Sequence, residues 1–148
     1  LSTKNVIVAL TKTIPQGISA LMAVDIDKLP EDNIKKIERA IADVKTGLVT
    51  YAVRTSNFDG KDIEEGDILG IIDGKISKVG QKISEVSEKI IDDMINEGSS
   101  LISIYYGNDI EEKEAKTLVD YIQKNYSDCD IEMHLGGQHL YYYIISVE

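Results

Sequence analysis

The sequence predicts an α/β fold in which helices cover a mixed β-sheet. Helical and strand patterns alternate through the second half of the chain, as they do in proteins whose helices pack on a sheet. Asp73-Gly74, between two apolar runs, is typical of a tight β-hairpin, because both residues tolerate positive φ. Residues 140–147 form an apolar, β-branched and aromatic run that predicts a terminal strand. The hairpin and this strand imply some antiparallel pairing within the sheet.

The first half of the chain predicts two strands and two helices. Residues 5–10 form an apolar run that predicts a buried strand, and the Pro and Gly behind it predict a loop. Pro30 suits a first helical turn because it lacks an N–H, and isoleucines repeat behind it at helical spacing. The predicted elements are the strand at 5–10, a short helix at 18–24, a helix with the stripe Ile34, Ile37, Ile41 and Val44, and a strand at 48–53.

The second half predicts the hairpin and then a β-α-β unit. A polar loop at 54–67 precedes hairpin strands at 68–72 and 75–79. Helical spacing from Ile83 to Met94 predicts a helix of about four turns that Gly98 ends. A strand at 101–106, a helix striped from Ala115 to Tyr126 and an alternating strand at 131–135 complete the unit.

The chain has the size and balance of one folded domain. At 148 residues, folding buries roughly 68–70% of the surface that the unfolded chain exposes. We expect a single α/β domain over 1–148, with lobes at 1–55 and 66–148 divided by the polar loop. The chain does not begin with Met and enters the apolar run almost at once, so we expect a piece of a longer protein.

Charge and cysteine content exclude several partners. Sixteen Lys and Arg against 26 Asp and Glu give a net charge of -10, which repels nucleic acid and anionic lipid surfaces. No apolar run reaches the roughly 18 to 20 residues of a membrane span, so we expect no membrane insertion. Cys129 is the single cysteine and can form no internal disulfide, which fits a cytoplasmic location.

No residue pattern in the sequence predicts catalysis or a metal site. The glycines of 70–80 lack the spacing of a nucleotide-binding loop. Cys129 lies between two aspartates, whose charge disfavours the reactive thiolate. Two groups have metal-ligating side chains without a metal-binding pattern, so we expect solvated or structural roles for them: the acids Asp59, Asp62, Glu64, Glu65 and Asp67, and the trio Cys129, His134 and His139.

Tyrosines and one arginine are the candidates for partner contact. Strand alternation must place some of Tyr105, Tyr106 and the three tyrosines at 141–143 outside the core, where they would suit either an interface or the rim of a helix-covered face. Arg54, at a predicted strand end, could hold an anionic group or pair with a neighbouring acid.

Four ordered segments resemble the C-terminal region of the bacterial fatty acid kinase A family. They are KTIPQGISAL at 12–21, VTYAVR at 49–54, DILGIIDGKI at 67–76, and GGQ at 136–138 with the tyrosine strand behind it. The resemblance implies a fold like that of DegV-type lipid carriers. It also implies that ATP and magnesium bind a kinase domain elsewhere in the parent protein, so that this chain needs no cofactor and catalyses no reaction itself.

In the picture that this resemblance implies, the chain docks a fatty-acid-loaded DegV-type carrier so that the kinase domain of the same parent can make an acyl phosphate. The candidate contact residues are Arg54, Gly136, Gly137, Gln138, His139 and Tyr142. The sequence departs from the family pattern at His139, where a proline is expected, and in lacking an upstream glycine-rich stretch. The alternatives are a domain that itself binds a fatty acid or phosphorylated ligand, and an enzyme of the dihydroxyacetone-kinase-like or phosphatase kind.

Overall fold

The chain divides between Val44 and Lys45 into two compact units, a helical unit at 1–44 and a sheet unit at 45–148. The structure, a computed structural model, describes residues 4, 6–58 and 60–148. The predicted lobes placed the division in the loop after residue 55. The observed boundary lies earlier because the strand that begins at Lys45 pairs on both sides within the sheet.

The helical unit contains α1 (Ile14–Met22) and α2 (Pro30–Asp43). The structure places α1 earlier than the predicted 18–24, because Thr13 caps it and its hydroxyl accepts the N–H of Gln16 at 3.2 Å. The helix α2 begins at Pro30, as the sequence predicts. Asn33 fixes the connection between them, since its side chain accepts the N–H of Asp25 and donates to the Asp25 carbonyl, each at 2.8 Å.

The strand predicted at 5–10 is wrong for the described residues 6–10, which form no strand and are exposed; Asn5 lies outside the described residues. Residues 7–10 instead lie beside the isoleucine stripe of α2, with which they line an apolar groove of about 200 Å³. An apolar run can pack against the apolar face of a helix or form a buried strand in a sheet, and its pattern of apolar residues does not distinguish the two.

The sheet unit is a six-stranded mixed sheet with two helices packed on one face. Its strands have the order β5-β4-β1-β8-β6-β7, and every neighbouring pair is antiparallel except β6 and β7. The elements are β1 (Lys45–Tyr51), β2 (Ser56–Phe58), β3 (Lys61–Ile63), β4 (Ile68–Ile72), β5 (Lys75–Gly80), α3 (Ile83–Met94), β6 (Leu101–Tyr106), α4 (Glu112–Asn125), β7 (Asp130–Leu135) and β8 (Tyr143–Val147).

Most of the predicted elements of this unit are confirmed. Asp73 and Gly74 have φ of 47° and 83°, as the predicted tight turn requires, and Asp73 also bonds through its N–H and its carboxylate to the backbone of Thr46. The β6-α4-β7 segment is the predicted β-α-β unit. The loop at 54–67 is not wholly irregular, because β2 and β3 form a ribbon within it. The helix α3 ends at Met94, before a turn that Asn96 and Ser99 stabilise, rather than at Gly98.

Glycines in three strands allow α3 to lie close to the sheet. A Cβ added at Gly70 or Gly80 would lie 2.9 Å from a methyl group of Val86, and one at Gly47 would lie 3.2 Å from Ile90. These spacings leave no room for a side chain. The core therefore forms where α3 and α4 cover the sheet, and the described helices include none that is long and apolar enough to cross a membrane.

A carboxylate on α3 joins the two covering helices. The hydroxyls of Tyr126 and Tyr121 donate to Asp92 at 2.7 Å and at 3.0 Å respectively. The hydrogen bond to Asp92, partial burial and the negative charge of Asp92 raise the pKa of Tyr126 to about 12. The pKa of Tyr126 in the folded chain thus lies above the ordinary value of 10. The contribution of the protonated hydroxyl to the stability of the fold is therefore complete below pH 10 and is lost as the pH rises through 12.

The substitution Asp92→Ala should bring the pKa of Tyr126 down toward 10, because it removes both the acceptor and the charge. Titration of ¹³Cζ-labelled tyrosine by NMR measures the change. Tyr143 provides an internal control, since burial first and Glu114 second raise its pKa to about 12, and Asp92 is not among the causes. A Tyr126 pKa that stays near 12 in the variant would contradict this account.

Candidate functional site

Four strands end at the same edge of the sheet. Since β8 is antiparallel to both β1 and β6, and β7 is parallel to β6, the carboxyl ends of β1, β6 and β7 meet there. The end of β5 joins them, because β4 is antiparallel to both β1 and β5. We name this side of the sheet the carboxyl edge. Loops at carboxyl ends of strands are where open α/β sheets bind ligands.

A terminal loop of residues 136–142 crosses the carboxyl edge between β7 and β8. The N–H of Gly136 donates to the Tyr106 carbonyl at 2.9 Å, and the N–H of Asn108 donates to the Gln138 carbonyl at 3.0 Å. The N–H of Tyr142 donates to the Val49 carbonyl at 2.8 Å. The predicted strand at 140–147 therefore starts late, because its first three residues must cross β6 before the chain can enter between β6 and β1.

Glycines permit this crossing. Gly137 has a φ of 68°, which other residues rarely adopt. A Cβ on Gly107 would lie against the carbonyl oxygen of Tyr141 and 2.7 Å from that of Gln138, so the loop packs directly on the end of β6. Sequence reasoning missed Gly107. The available signal was a glycine placed directly after a predicted strand, which can mark a close backbone approach.

Gln138 and His139 hold the terminal loop to its neighbours. The Gln138 amide donates to the Tyr105 carbonyl at 2.9 Å, and its side chain occupies the space that a Cβ on Gly136 would need. His139 is exposed, and its Nδ1 lies 3.1 Å from the Asn108 amide nitrogen. These contacts give both residues a structural role, whatever they do toward a partner.

The three side chains considered as metal ligands lie before, on and after β7. Cys129 precedes this strand and donates to the Ser99 carbonyl at 3.4 Å. His134 stacks on Tyr105 with ring centroids 5.2 Å apart, and His139 lies in the terminal loop. Five strand residues span roughly 16 Å, so Cys129 and His134 cannot share an ion. Within the described ranges, no three His, Cys, Asp or Glu side chains are placed to hold a metal.

The acidic residues of the loop at 54–67 serve local structure. Asp67 is buried, accepts the N–H of Glu64 at 2.8 Å and accepts the Gln81 amide. Asp62 accepts the Asn57 amide at 2.6 Å across the β2-β3 ribbon. Asp59 lies outside the described residues. The described acids therefore form a bonded loop and ribbon rather than a cluster that converges on one point.

Apolar side chains of the terminal loop and of the chain at the end of β1 lie at the carboxyl edge, three of them exposed and Tyr142 partly buried against the core. We name Tyr51, Val53, Leu140 and Tyr142 the edge patch. The rings of Tyr51 and Tyr142 are 5.9 Å apart, and the Thr50 hydroxyl donates to the Leu140 carbonyl at 2.6 Å. Val53 is 72% exposed, Leu140 65% and Tyr51 36%. Arg54, next to Val53, is exposed and forms no ion pair with the carboxylates of the described ranges.

The other tyrosines singled out in the sequence have separate positions. Tyr143 is buried under α3 and α4, and Tyr106 packs against the same core. Tyr105 points to the opposite face, where it stacks on His134. The predicted alternatives of interface and sheet cover thus apply to different residues, since Tyr143 and Tyr106 pack in the core and Tyr142 packs partly on the core and partly in the edge patch.

A family model matches the whole chain, and two curated relatives match nearly all of it. The sequence model of the C-terminal region of fatty acid kinase A-like proteins matches residues 1–148. Protein YloV of Bacillus subtilis is 38% identical over 98% of this chain, and an uncharacterized protein of Staphylococcus aureus (strain USA300) is 36% identical over 96%. The chain spans about a quarter, 26%, of the length of each of these relatives.

Solved structures of the DegV family share the fold. A fatty acid binding DegV family protein from Streptococcus agalactiae matches 89% of this chain and 54% of its own, with a TM-score of 0.58 and 16% identity. A DegV family protein from Ruminococcus gnavus, described with vaccenic acid, matches 90% of this chain and 55% of its own, with a TM-score of 0.56 and 15% identity. The predicted DegV-like α/β fold is therefore confirmed.

Substitution of Gly107 by Ala should displace the terminal loop. The added Cβ would overlap two backbone carbonyls that cannot rotate away, so we expect the free energy of unfolding to fall by about 1–3 kcal/mol. Urea denaturation measures the loss, and NMR amide shifts at 136–142 locate it. Gly98→Ala is the matched control, because its Cβ would lie 3.4 Å from a side-chain oxygen of Asn96. Equal stability losses in both variants would contradict the close packing.

Proposed function

The chain belongs to the fatty acid kinase A-like C-terminal family, and from that membership we propose that it is a docking domain. It binds a fatty-acid-loaded carrier protein of the DegV type and presents the acyl carboxylate to a kinase domain of the same parent protein. The product of the whole system is an acyl phosphate.

The observation that carries the proposal is the edge patch. The rings of Tyr51 and Tyr142 pair at the end of the sheet, the Leu140 carbonyl is bonded to the neighbouring Thr50, and the side chains of Val53 and Leu140 are mostly exposed. Contiguous exposed apolar surface is unusual on a folded domain unless it binds something, and tyrosine is enriched in protein interfaces. Exposed apolar side chains also occur in the helical unit, among them Leu10 and Ile26, so the patch is one of the apolar surfaces of this acidic chain.

The terminal loop is held before any partner arrives. Backbone bonds fix it to β6 and to Val49, and the Gln138 side chain adds a further bond to β6. A surface that is already ordered loses less conformational entropy on binding, so more of the contact energy appears as affinity. This favours recognition of a folded protein face over capture of a flexible chain.

Arg54 supplies a charge at the rim of the patch. Its guanidinium is exposed in a chain whose net charge is negative, and it can pair with a carboxylate of the carrier. Rim charges chiefly set orientation and the rate of association. In this proposal the edge patch supplies the binding affinity, and Arg54 sets the orientation of the carrier on the patch.

The catalytic part belongs to the rest of the parent protein. The chain accounts for 26% of the length of its relatives, which leaves most of their residues for other domains. ATP and magnesium would bind in the kinase domain, and this chain would only position the carrier. We place this activity in the cytoplasm, in lipid metabolism.

The fold similarity also favours a second candidate, in which this chain itself holds a fatty acid or a phosphorylated ligand. The two DegV neighbours are named for fatty acid binding or for vaccenic acid. Native mass spectrometry of the purified chain would reveal a retained ligand. Turnover of ATP, dihydroxyacetone or an acyl phosphate by the isolated chain would instead support the enzyme alternative.

Two substitutions in the edge patch should weaken carrier binding. Leu140→Ser and Tyr142→Ala each remove apolar contact area at the centre of the proposed interface, so we expect each to lower affinity about tenfold or more. Calorimetry with the cognate fatty-acid-loaded carrier measures this. Leu29→Ser is the matched control, because Leu29 is an exposed leucine of the helical unit.

Circular dichroism must show that the variants remain folded. The absence of heat with wild-type chain at high micromolar concentration would contradict the docking proposal. Equal losses for Leu140→Ser and Leu29→Ser would show that the edge patch is not the surface that binds.

A further inference from the structure

A concave site separate from the edge patch lies at the carboxyl edge, on the helix-covered face of the sheet. It is a crevice of about 380 Å³ between the N-terminal turns of α3 and α4, and we name it the helix crevice. Ile83, Ile110, Leu118 and Tyr143 form its apolar walls. Its volume lies within the roughly 300–1,000 Å³ typical of small-molecule sites. It shares no residue with the edge patch.

Tyr143 presents an unused hydroxyl to this crevice. The residue is only 3% exposed, and its hydroxyl forms no hydrogen bond with any residue of the described ranges. No side-chain polar atom of the described, non-exposed residues is both inaccessible and unpaired, so the Tyr143 oxygen keeps accessible surface, where a ligand acceptor can replace water. Burial and the charge of Glu114 raise the pKa of Tyr143 to about 12, so the phenol stays protonated and can donate.

The start of α3 adds donors to the same crevice. Lys82 is the N-cap residue, and no capping side chain bonds to the first turn. The first N–H groups of a helix have no partner within the helix, and they carry a partial positive charge. A hydrogen-bond acceptor in the crevice would therefore meet donors from both Tyr143 and the α3 terminus.

Carboxylates on the walls oppose an anionic acceptor. Glu88 and Glu114 line the crevice, whereas Lys82 is its one basic wall residue and already pairs with Glu85 at 2.9 Å. The ionisable wall residues thus sum to a negative charge. A ligand carboxylate would face two like charges, while an uncharged carbonyl would keep its hydrogen bonds without that repulsion.

We propose that the helix crevice binds a small uncharged molecule with an apolar body and a carbonyl group, such as an amide or an ester. The body packs among Ile83, Ile110 and Leu118, and the carbonyl oxygen accepts a hydrogen bond from the Tyr143 hydroxyl. Neither the carrier nor a kinase domain is needed, so the inference is independent of the docking proposal.

Three probes of equal chain length test the chemistry on the 148-residue chain. Hexanamide, hexanoate and hexylammonium differ only in the polar end. We expect hexanamide to give saturable NMR shifts at the amides of Ser84, Leu118 and Tyr143, and hexanoate to bind at least about tenfold more weakly because of Glu88 and Glu114. Hexylammonium tests the donors separately, because Glu88 and Glu114 attract its charge while it offers no acceptor; binding tighter than that of hexanamide would overturn the assigned hydrogen bond from Tyr143.

Tyr143→Phe should weaken hexanamide binding about two- to tenfold, the worth of one neutral hydrogen bond. The variant should fold, because the hydroxyl it removes has no partner in the described part of the chain. Tyr126→Phe is the matched control, because Tyr126 does not line the crevice. Thr117→Trp, at an exposed position on the wall, should block the crevice without touching the core.

Absence of saturable hexanamide shifts up to its solubility limit would overturn the proposal. Unchanged hexanamide affinity in Tyr143→Phe would show that the Tyr143 hydroxyl is not the donor. Unchanged hexanamide affinity in Thr117→Trp would show that the ligand does not bind in the helix crevice. Hexanoate binding as tightly as hexanamide would overturn the uncharged assignment and favour a fatty acid site instead.

Discussion

The last strand of the chain holds the two halves of the sheet together. β8 pairs with β1 on one side and with β6 on the other, so the hairpin half and the β-α-β half meet only through it within the described sheet. The pairing of Lys45 with Val147 joins residues about a hundred positions apart. Such long-range pairs close late in folding, because a large loop must be ordered first. The covering helices can complete one core only after β8 is in place.

Insertion of β8 also determines what the carboxyl edge presents. The terminal loop must cross β6 to reach the centre of the sheet, which brings it onto Gly107 and beside Val49. Where the terminal loop enters β8, consecutive side chains point to opposite faces of the extended chain. Tyr142 faces Tyr51 in the edge patch, and Tyr143 faces the helix crevice. Two consecutive tyrosines thus supply two separate surfaces.

Local chemistry decided which elements the sequence could predict. Asp73-Gly74 determines its own turn through positive φ, and Pro30 marks a helix start through its missing N–H, so both predictions needed no tertiary information. The structure of residues 5–10 depends on which element they pack against, and the pattern of apolar residues does not identify that element. The described part of the run lies beside α2 and not in a sheet. The close packing at Gly107 and the position of Tyr143 follow from the terminal loop crossing β6, and no local pattern contains that crossing.

The edge patch and the helix crevice share a stretch of backbone. Gly107 donates its N–H to the Tyr142 carbonyl at 2.9 Å and accepts the N–H of Ile110, a crevice wall residue, at 3.2 Å. Gly107 is thus a direct link through which an occupant of one surface could affect the other. Linkage requires any such effect to be reciprocal, so a crevice ligand that strengthens docking must itself bind more tightly to the docked form. Gly107 packs without a Cβ against the carbonyls of Tyr141 and Gln138, so the backbone that links the two surfaces is also closely packed.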